Sequence, residues 1–169
     1  STTKRLYFYL LSFVALLVAA NGLILLLSFL MDRLFRTVIA GGATPQQLGL
    51  SLAFLVVGSA LWLPHWMYIQ GQVRKSPAET GSSLRKLYIY AFLFISLVMA
   101  VISLARLLQW ALGTETFNSS MVSNLLVWIP LWLYHWRLEN KEGQPSPGAK
   151  TLRRWYAYLT SFYSLAMVA

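Results

Sequence analysis

The sequence predicts an all-α fold, a polytopic transmembrane helix bundle made of tandem two-helix parallel repeats. Hydrophobic residues make up 57% of the 169-residue chain and charged residues only 11%, against about 45–50% and about 25% in soluble domains. The apolar residues form long segments that short polar stretches separate. Short motifs also recur at the same place in successive segments.

Five apolar segments are candidate transmembrane helices, because about 20 apolar residues are needed to cross a bilayer. We predict spans at about residues 6–31, 48–69, 87–112 and 119–137, and a fifth that begins at about residue 155. The predicted repeat units are residues 1–75, 76–145 and the start of a third unit at 146–169. Because residues 155–169 are too few to span a bilayer, we expect the natural protein to continue beyond Ala169.

Capping signals precede two of these segments. Residues 44–47, Thr-Pro-Gln-Gln, place Thr at an N-cap, Pro at the first helical position and Gln where a capping box needs it. Residues 76–79, Ser-Pro-Ala-Glu, repeat the arrangement and predict a short turn before the third segment. Gly148, with Pro145 and Pro147, predicts a loop before the fifth.

The distribution of Lys and Arg predicts the orientation. Eleven of the 14 basic residues lie at the N-terminus, in the loop 74–86 or in the loop 137–154. By the positive-inside rule these parts are cytoplasmic, and residues 32–47 and 113–120 face the opposite side. Because the cations cluster between apolar segments, the net charge of +9 indicates a membrane surface and no nucleic-acid partner.

Two motifs recur along the chain. A cation, an apolar residue and two Tyr spaced by one residue begin the odd-numbered helices, at residues 5–9, 86–90 and 154–158. The sequence Leu-Trp-Leu-Pro-His-Trp at 61–66 matches Leu-Trp-Leu-Tyr-His-Trp at 131–136 in five of six positions. Units of two helices enter the membrane in the same direction, so the repeats are predicted to be parallel, with His65 and His135 at equal depth.

These motifs resemble those of a family of multi-pass bacterial membrane proteins known as domain of unknown function 5671. Its members have a basic-Leu-Tyr-x-Tyr helix start and an apolar helix that ends in His-Trp and basic residues. The resemblance extends over nearly the whole chain. It implies a multi-pass protein of the bacterial cytoplasmic (inner) membrane and no established activity.

The aromatic residues near the cytoplasmic boundary are predicted to anchor the helices at the lipid headgroups, where a buried ring keeps a wet polar tip. This aromatic belt includes four tryptophans, Trp62, Trp66, Trp132 and Trp136. The predicted tyrosine anchors are Tyr7, Tyr9, Tyr88, Tyr90, Tyr156 and Tyr158.

The two histidines give the sharpest hypothesis about a site. Neutral imidazoles of His65 and His135 at one depth could ligate a haem b or bacteriochlorophyll, with Trp66 and Trp136 packed against the macrocycle. The alternative is that both histidines belong to the aromatic belt and bind water, headgroups or a backbone carbonyl, because an interfacial His costs little.

Several residues are candidates for helix packing. Asn21 lies about 22 Å along the first helix from its apolar start, and needs a hydrogen-bonding partner there. Gly49 with Ala53, and Gly58 in Gly-Ser-Ala at 58–60, predict a small-residue face on the second helix. Pro130 is predicted to kink the fourth helix, and Glu115 to pair with Arg106.

No known catalytic motif is present, and all five Asp and Glu lie in predicted loops or at helix ends. Cysteine is absent, which excludes thiolate metal sites. The function expected first is therefore a non-enzymatic accessory or scaffold subunit that packs laterally against other membrane-protein subunits. The alternatives are a tetrapyrrole-binding subunit for electron transfer or light harvesting and, as an outside alternative, a small transporter.

Overall fold

The protein is helical throughout the residues that the computed structural model describes, 2–35, 44–142 and 146–168. A short 3-10 turn, Pro77–Gly81, joins the second and third helices. Within the described residues there is no β-strand, and the prediction of an all-α fold is confirmed. The α-helices are α1 (Thr2–Phe35), α2 (Pro45–Lys75), α3 (Ser83–Ala111), α4 (Ser119–Lys141) and α5 (Pro147–Val168).

Three of the described helices, α1, α2 and α3, are long and apolar enough to cross a membrane. Helix α4 has 23 residues, about 35 Å at 1.5 Å per residue, and so has the length. It falls outside that group because its interior contains Asn, Pro, His and Trp, which lower its mean hydropathy. Its span at 119–137 therefore stays a prediction.

The helix starts follow the capping chemistry of the sequence. At the start of α2 the Gln47 amide N–H donates to Thr44 Oγ1 at 3.3 Å, and the Thr44 N–H donates to Gln47 Oε1 at 3.0 Å. The predicted capping box is thus confirmed, as is the short turn before α3. The loop predicted around Gly148 is wrong, because α5 already begins at Pro147. A proline ring is compatible with the first helical turn, where the missing N–H is not needed.

The helices pack as two hairpins with a fifth helix added. Helix α1 packs along α2, α3 packs along α4, and α1 lies against α4 to join the hairpins. Helix α5 packs against α3, where Tyr156 stacks on Tyr90 with ring centroids 5.6 Å apart. One buried cluster contains Tyr9, Trp66 and Phe92, and a second contains Ile24, Val127 and Trp128.

Two glycines set the distance between α1 and α2. A Cβ added to Gly58 would lie 2.4 Å from the backbone nitrogen of Ala19, and one added to Gly22 would lie 2.4 Å from that of Leu55. Backbones that approach this closely leave no room for a side chain. Small residues are the usual means of such close packing between membrane helices. Gly22 was not among the residues that the sequence indicated.

Candidate functional site at the basic end of the bundle

The start of α1, the end of α2, the Pro77–Gly81 turn, the start of α3 and the end of α4 meet at one end of the bundle, which we call the basic end. An ion pair of 2.6 Å joins Arg5 Nη2 to Glu79 Oε1. The Ser146 N–H donates to the Gly81 carbonyl at 3.2 Å, so the start of α5 is attached to the same end. Chain segments that are far apart in sequence therefore form one site.

A network of buried charges lies inside the basic end. Arg85 donates to Glu142 through Nε at 2.8 Å and also through Nη2, and its Nη2 donates to Gln70 Oε1 at 3.2 Å. Lys86 Nζ lies 2.5 Å from Glu139 Oε2 and 3.4 Å from Glu142 Oε2. Both cations are fully shielded from solvent. Two cations face two carboxylates, so the formal charges of the four groups cancel.

Further hydrogen bonds and rings surround this network, whereas Arg85 Nη1 is buried and has no hydrogen-bonding partner within the described residues. The Tyr90 hydroxyl donates to Glu139 Oε1 at 2.7 Å. The Arg85 guanidinium lies over the Trp66 ring, 5.6 Å from its centroid, and Trp66 Nε1 donates to the Tyr134 hydroxyl at 2.7 Å. Buried charges are tolerated when they are paired and hydrogen-bonded in this way. The network joins α2, α3 and α4.

Arg85 was predicted to lie in the loop 74–86, which is wrong. Lys86 was predicted both to end that loop and to begin the third helix, and only its helical position is confirmed. Both lie in the first turns of α3 and are buried. The signal that could have revealed them is the pair of acids at the end of α4, Glu139 and Glu142, three residues apart. Residues at this spacing lie on the same side of a helix. Two acids on one side, in a chain with only five, suggest two cationic partners.

The structure divides the six predicted tyrosine anchors into two groups. Tyr7 and Tyr158 are exposed, as an interfacial anchor would be. Tyr9, Tyr88 and Tyr90 are instead buried, with about a twentieth of each side chain exposed, and they pack inside the basic end. Tyr156 is half-buried against Tyr90. The inner tyrosines therefore contribute to helix packing at the basic end.

The two histidines occupy corresponding positions in the two hairpins. His65 Nδ1 lies 2.6 Å from the Leu61 carbonyl, and His135 Nδ1 lies 2.8 Å from the Leu131 carbonyl. Because a carbonyl only accepts, each Nδ1 carries the proton in this arrangement. His65 packs against Tyr7 and Phe8 of α1, whereas His135 packs against Tyr88 and Phe92 of α3. Each imidazole thus faces the first helix of its own hairpin.

The surroundings of His135 do not fit a tetrapyrrole. Its side chain is completely buried, and the Phe92 ring stacks on it with centroids 4.7 Å apart. Nε2 is the atom that would ligate a metal, and it is buried with no hydrogen-bonding partner among the residues that the structure describes. Because no water-sized sphere can reach the His135 side chain, a macrocycle cannot reach it either unless the helices repack.

The tryptophans of the two His-Trp motifs differ in their surroundings. Trp66 is buried in the basic end, whereas Trp136 is exposed. The neighbouring pairs stack, Trp62 on Trp66 at 6.3 Å and Trp132 on Trp136 at 5.9 Å between centroids.

In the described part of the chain no group of three His, Asp or Glu is arranged to hold a metal ion.

The residues predicted for helix packing lie in different surroundings. Asn21 is exposed, and its side-chain amide donates to the Leu17 carbonyl of the same helix at 2.9 Å. Gly49, Ala53 and Pro130 are also exposed, and a Cβ on Gly49 would meet nothing within 4 Å. Gly58, in contrast, lies against the Ala19 backbone of α1.

The predicted pairing of Arg106 with Glu115 is confirmed. Arg106 donates to Glu115 Oε1 through Nε at 3.0 Å and Nη2 at 2.7 Å. The pair links the end of α3 to the connection before α4, at the end of the bundle away from the basic end.

A family model described as a domain of unknown function, DUF5671, matches residues 5–127. This range begins with the first cation-apolar-Tyr motif, includes His65, and ends within α4 before His135. The match is therefore shorter than the resemblance drawn from the motifs. No curated protein and no solved structure matches the chain. Since the matched range covers well over half of the 169 residues, the chain belongs to the DUF5671 family.

Proposed function

We propose that the protein is a non-enzymatic accessory or scaffold subunit of a larger membrane complex, in a bacterial inner membrane with its N-terminus in the cytoplasm. The observation that carries the proposal is an exposed small-residue face on α2. Gly49, Ala60 and Gly71 recur every 11 residues, and so do Ala53 and Pro64. Eleven residues are about three helical turns, so these residues lie along one side of α2, which the exposed side chains of Val56 and Met67 share; we call this side the α2 stripe.

The α2 stripe points away from the bundle. Ser51, Gly58 and Ile69, on the opposite side of α2, are buried, whereas Ala53 and Ala60 are exposed. Only 11% of the most apolar stretch of α2 is buried, against 39% in α1 and in α3. Small residues allow a second membrane helix to approach closely. The open stripe is therefore the surface that best suits a partner subunit.

The charged groups support the same proposal. The buried cations Arg85 and Lys86 pair with Glu142 and Glu139, and Arg106 pairs with Glu115. A transporter usually has ionisable groups along a path inside the membrane. These groups instead hold the helices together, which leaves the outer apolar faces for binding a partner.

Purification from native-host membranes tests the proposal. We expect the wild-type chain to migrate with at least one other membrane protein. The double variant Ala53→Leu/Ala60→Leu should lose that protein, because two bulky side chains fill the stripe. Ala157→Leu/Ala166→Leu adds the same bulk to exposed positions of α5 and should retain it.

Because the chain has no cysteine, Ala53→Cys also provides a single cross-linking site without background. A cross-link from this site to the co-migrating protein would identify the interface. Migration of the wild-type chain alone, or retention of the partner by the α2 double variant, would refute the proposal.

A further inference from the structure

A cleft at the basic end lies between the start of α1 and the end of α2. It has a volume of about 330 Å³, and Lys4 and Arg5 from α1 and Gln72 and Ser76 from the end of α2 line it together with Glu79. Lys4 Nζ lies 5.6 Å from the Tyr68 ring centroid, and within the described residues no carboxylate lies within ion-pair distance of it. Arg5 pairs with Glu79, yet 44% of its side chain remains exposed. The two cations exceed the single acid by one charge.

Tyr9 also lines this cleft. Only 5% of Tyr9 is exposed, and its enclosed hydroxyl interacts electrostatically with the Arg85 guanidinium. Lys and Arg are donors to an anionic oxygen, so Lys4 and Arg5 are the groups of the cleft that suit an anion.

The second cavity is an apolar groove beside the cleft. It has a volume of about 290 Å³, lies between α1 and α3, and shares Tyr9 with the cleft as a common wall. Leu10 and Phe13 line it from α1, and Leu87 and Ala91 from α3. No polar surface lines the groove. Phe13 comes eight residues after Arg5, about 12 Å further along the helix.

A cationic cleft beside an apolar groove, with only the Tyr9 side chain common to both walls, is complementary to an amphiphile with an anionic head. We propose that the basic end binds one anionic phospholipid, with its phosphate at Lys4 and Arg5 and an acyl chain in the groove between α1 and α3. Basic pockets between helices on the cytoplasmic side suit such headgroups. The proposal depends on the proposed membrane placement and is independent of the partner subunit.

Native mass spectrometry of the full chain in detergent tests this site, with dioleoyl phosphatidylglycerol as the probe and dioleoyl phosphatidylcholine as the neutral comparison. We expect tighter binding of phosphatidylglycerol. Lys4→Gln/Arg5→Gln should weaken the binding of phosphatidylglycerol about 30-fold, at about fivefold for each basic residue. Arg74→Gln/Lys75→Gln removes two exposed cations at the same end of the bundle. This control should change the affinity for phosphatidylglycerol less than threefold.

Glu79→Gln separates ligand binding from the structural role of Arg5. This variant breaks the same ion pair but leaves both cations, so phosphatidylglycerol should bind at least as tightly as to the wild type. If Glu79→Gln lowered the affinity for phosphatidylglycerol as much as Lys4→Gln/Arg5→Gln does, the effect would be structural and the proposal would be wrong. The proposal would also be wrong if Lys4→Gln/Arg5→Gln lowered that affinity less than threefold.

A third arm distinguishes a lipid from a free phosphate. Ala91→Phe fills the apolar groove, so it should weaken the binding of phosphatidylglycerol. The weak binding of glycerol 3-phosphate, which has no acyl chain, should stay unchanged. If glycerol 3-phosphate binds as tightly as the lipid and Ala91→Phe has no effect, the cleft takes a soluble phosphate and the lipid assignment is wrong. Loss of the partner subunit in the α2 variant would not change any of these results.

Discussion

Arg85 and Glu142 form an ion pair inside the bundle, although 57 residues separate them in the chain. The Arg85 side chain is fully buried and only 6% of the Glu142 side chain is exposed. The pair joins the start of α3 to the residue that caps α4. It therefore holds both ends of the second hairpin together at the basic end.

Glu142→Gln should lower the free energy of unfolding by about 3–5 kcal/mol, because it leaves a buried guanidinium without its counter-charge. The double variant Arg85→Met/Glu142→Leu should be destabilised much less, since it removes both charges. Denaturant unfolding in detergent measures both. Arg74→Gln, an exposed control, should stay within about 0.5 kcal/mol of wild type. An equally small effect of Glu142→Gln would contradict the importance of the pair.

Gly58→Ala should destabilise the protein by about 1–3 kcal/mol, because its new Cβ would collide with the backbone of Ala19 and push α1 from α2. Gly49→Ala is the matched control in the same helix. It meets nothing within 4 Å and should be neutral or stabilising by up to about 1 kcal/mol, the difference in helix propensity. Thermal unfolding of both variants compares them, and a similar effect of the two substitutions would contradict the close approach.

Protein purified from its native host should show no Soret or far-red band. The Nε2 atom of His135 is enclosed, and the two histidines pack against different helices. A visible absorption spectrum measures this directly. A band that disappears in His65→Ala/His135→Ala would show that a tetrapyrrole binds after the helices repack, and the packing argument would then be wrong.

Single cysteines at Ser76 and Thr114 should be labelled from opposite sides of the membrane. Both residues are exposed and they flank α3, whose 29 residues extend about 44 Å. Because the 169-residue chain contains no cysteine, it gives no background labelling. An impermeant maleimide added to intact cells should reach Thr114→Cys only, and inside-out vesicles should expose Ser76→Cys. Labelling of both from one side would refute the proposed orientation and the parallel repeats.

The positions of the helices could be predicted from the sequence, because hydropathy and capping are local properties. Apolar length predicted α1, α2 and α3, and Thr44 with Gln47 predicted the start of α2. The pairing of Arg106 with Glu115 could also be predicted, since only nine residues separate them. The start of α5 was placed too late because Pro147 and Gly148 are loop residues in most settings, but Pro also suits a first helical turn.

Which residues come together at the basic end depends on which helices pack against each other. No local sequence pattern encodes this packing. By sequence, Lys86 is a cation at the boundary between a loop and a helix, whereas in the fold it is a buried partner of Glu139. Gly22 and Gly49 look alike in the chain, but only Gly22 touches another helix. The sequence alone therefore determined the helical, membrane-type character of the chain, through hydropathy and capping. Only the tertiary structure decided which charges are paired and which small residues stay open, because long-range packing selects the partners of each helix face.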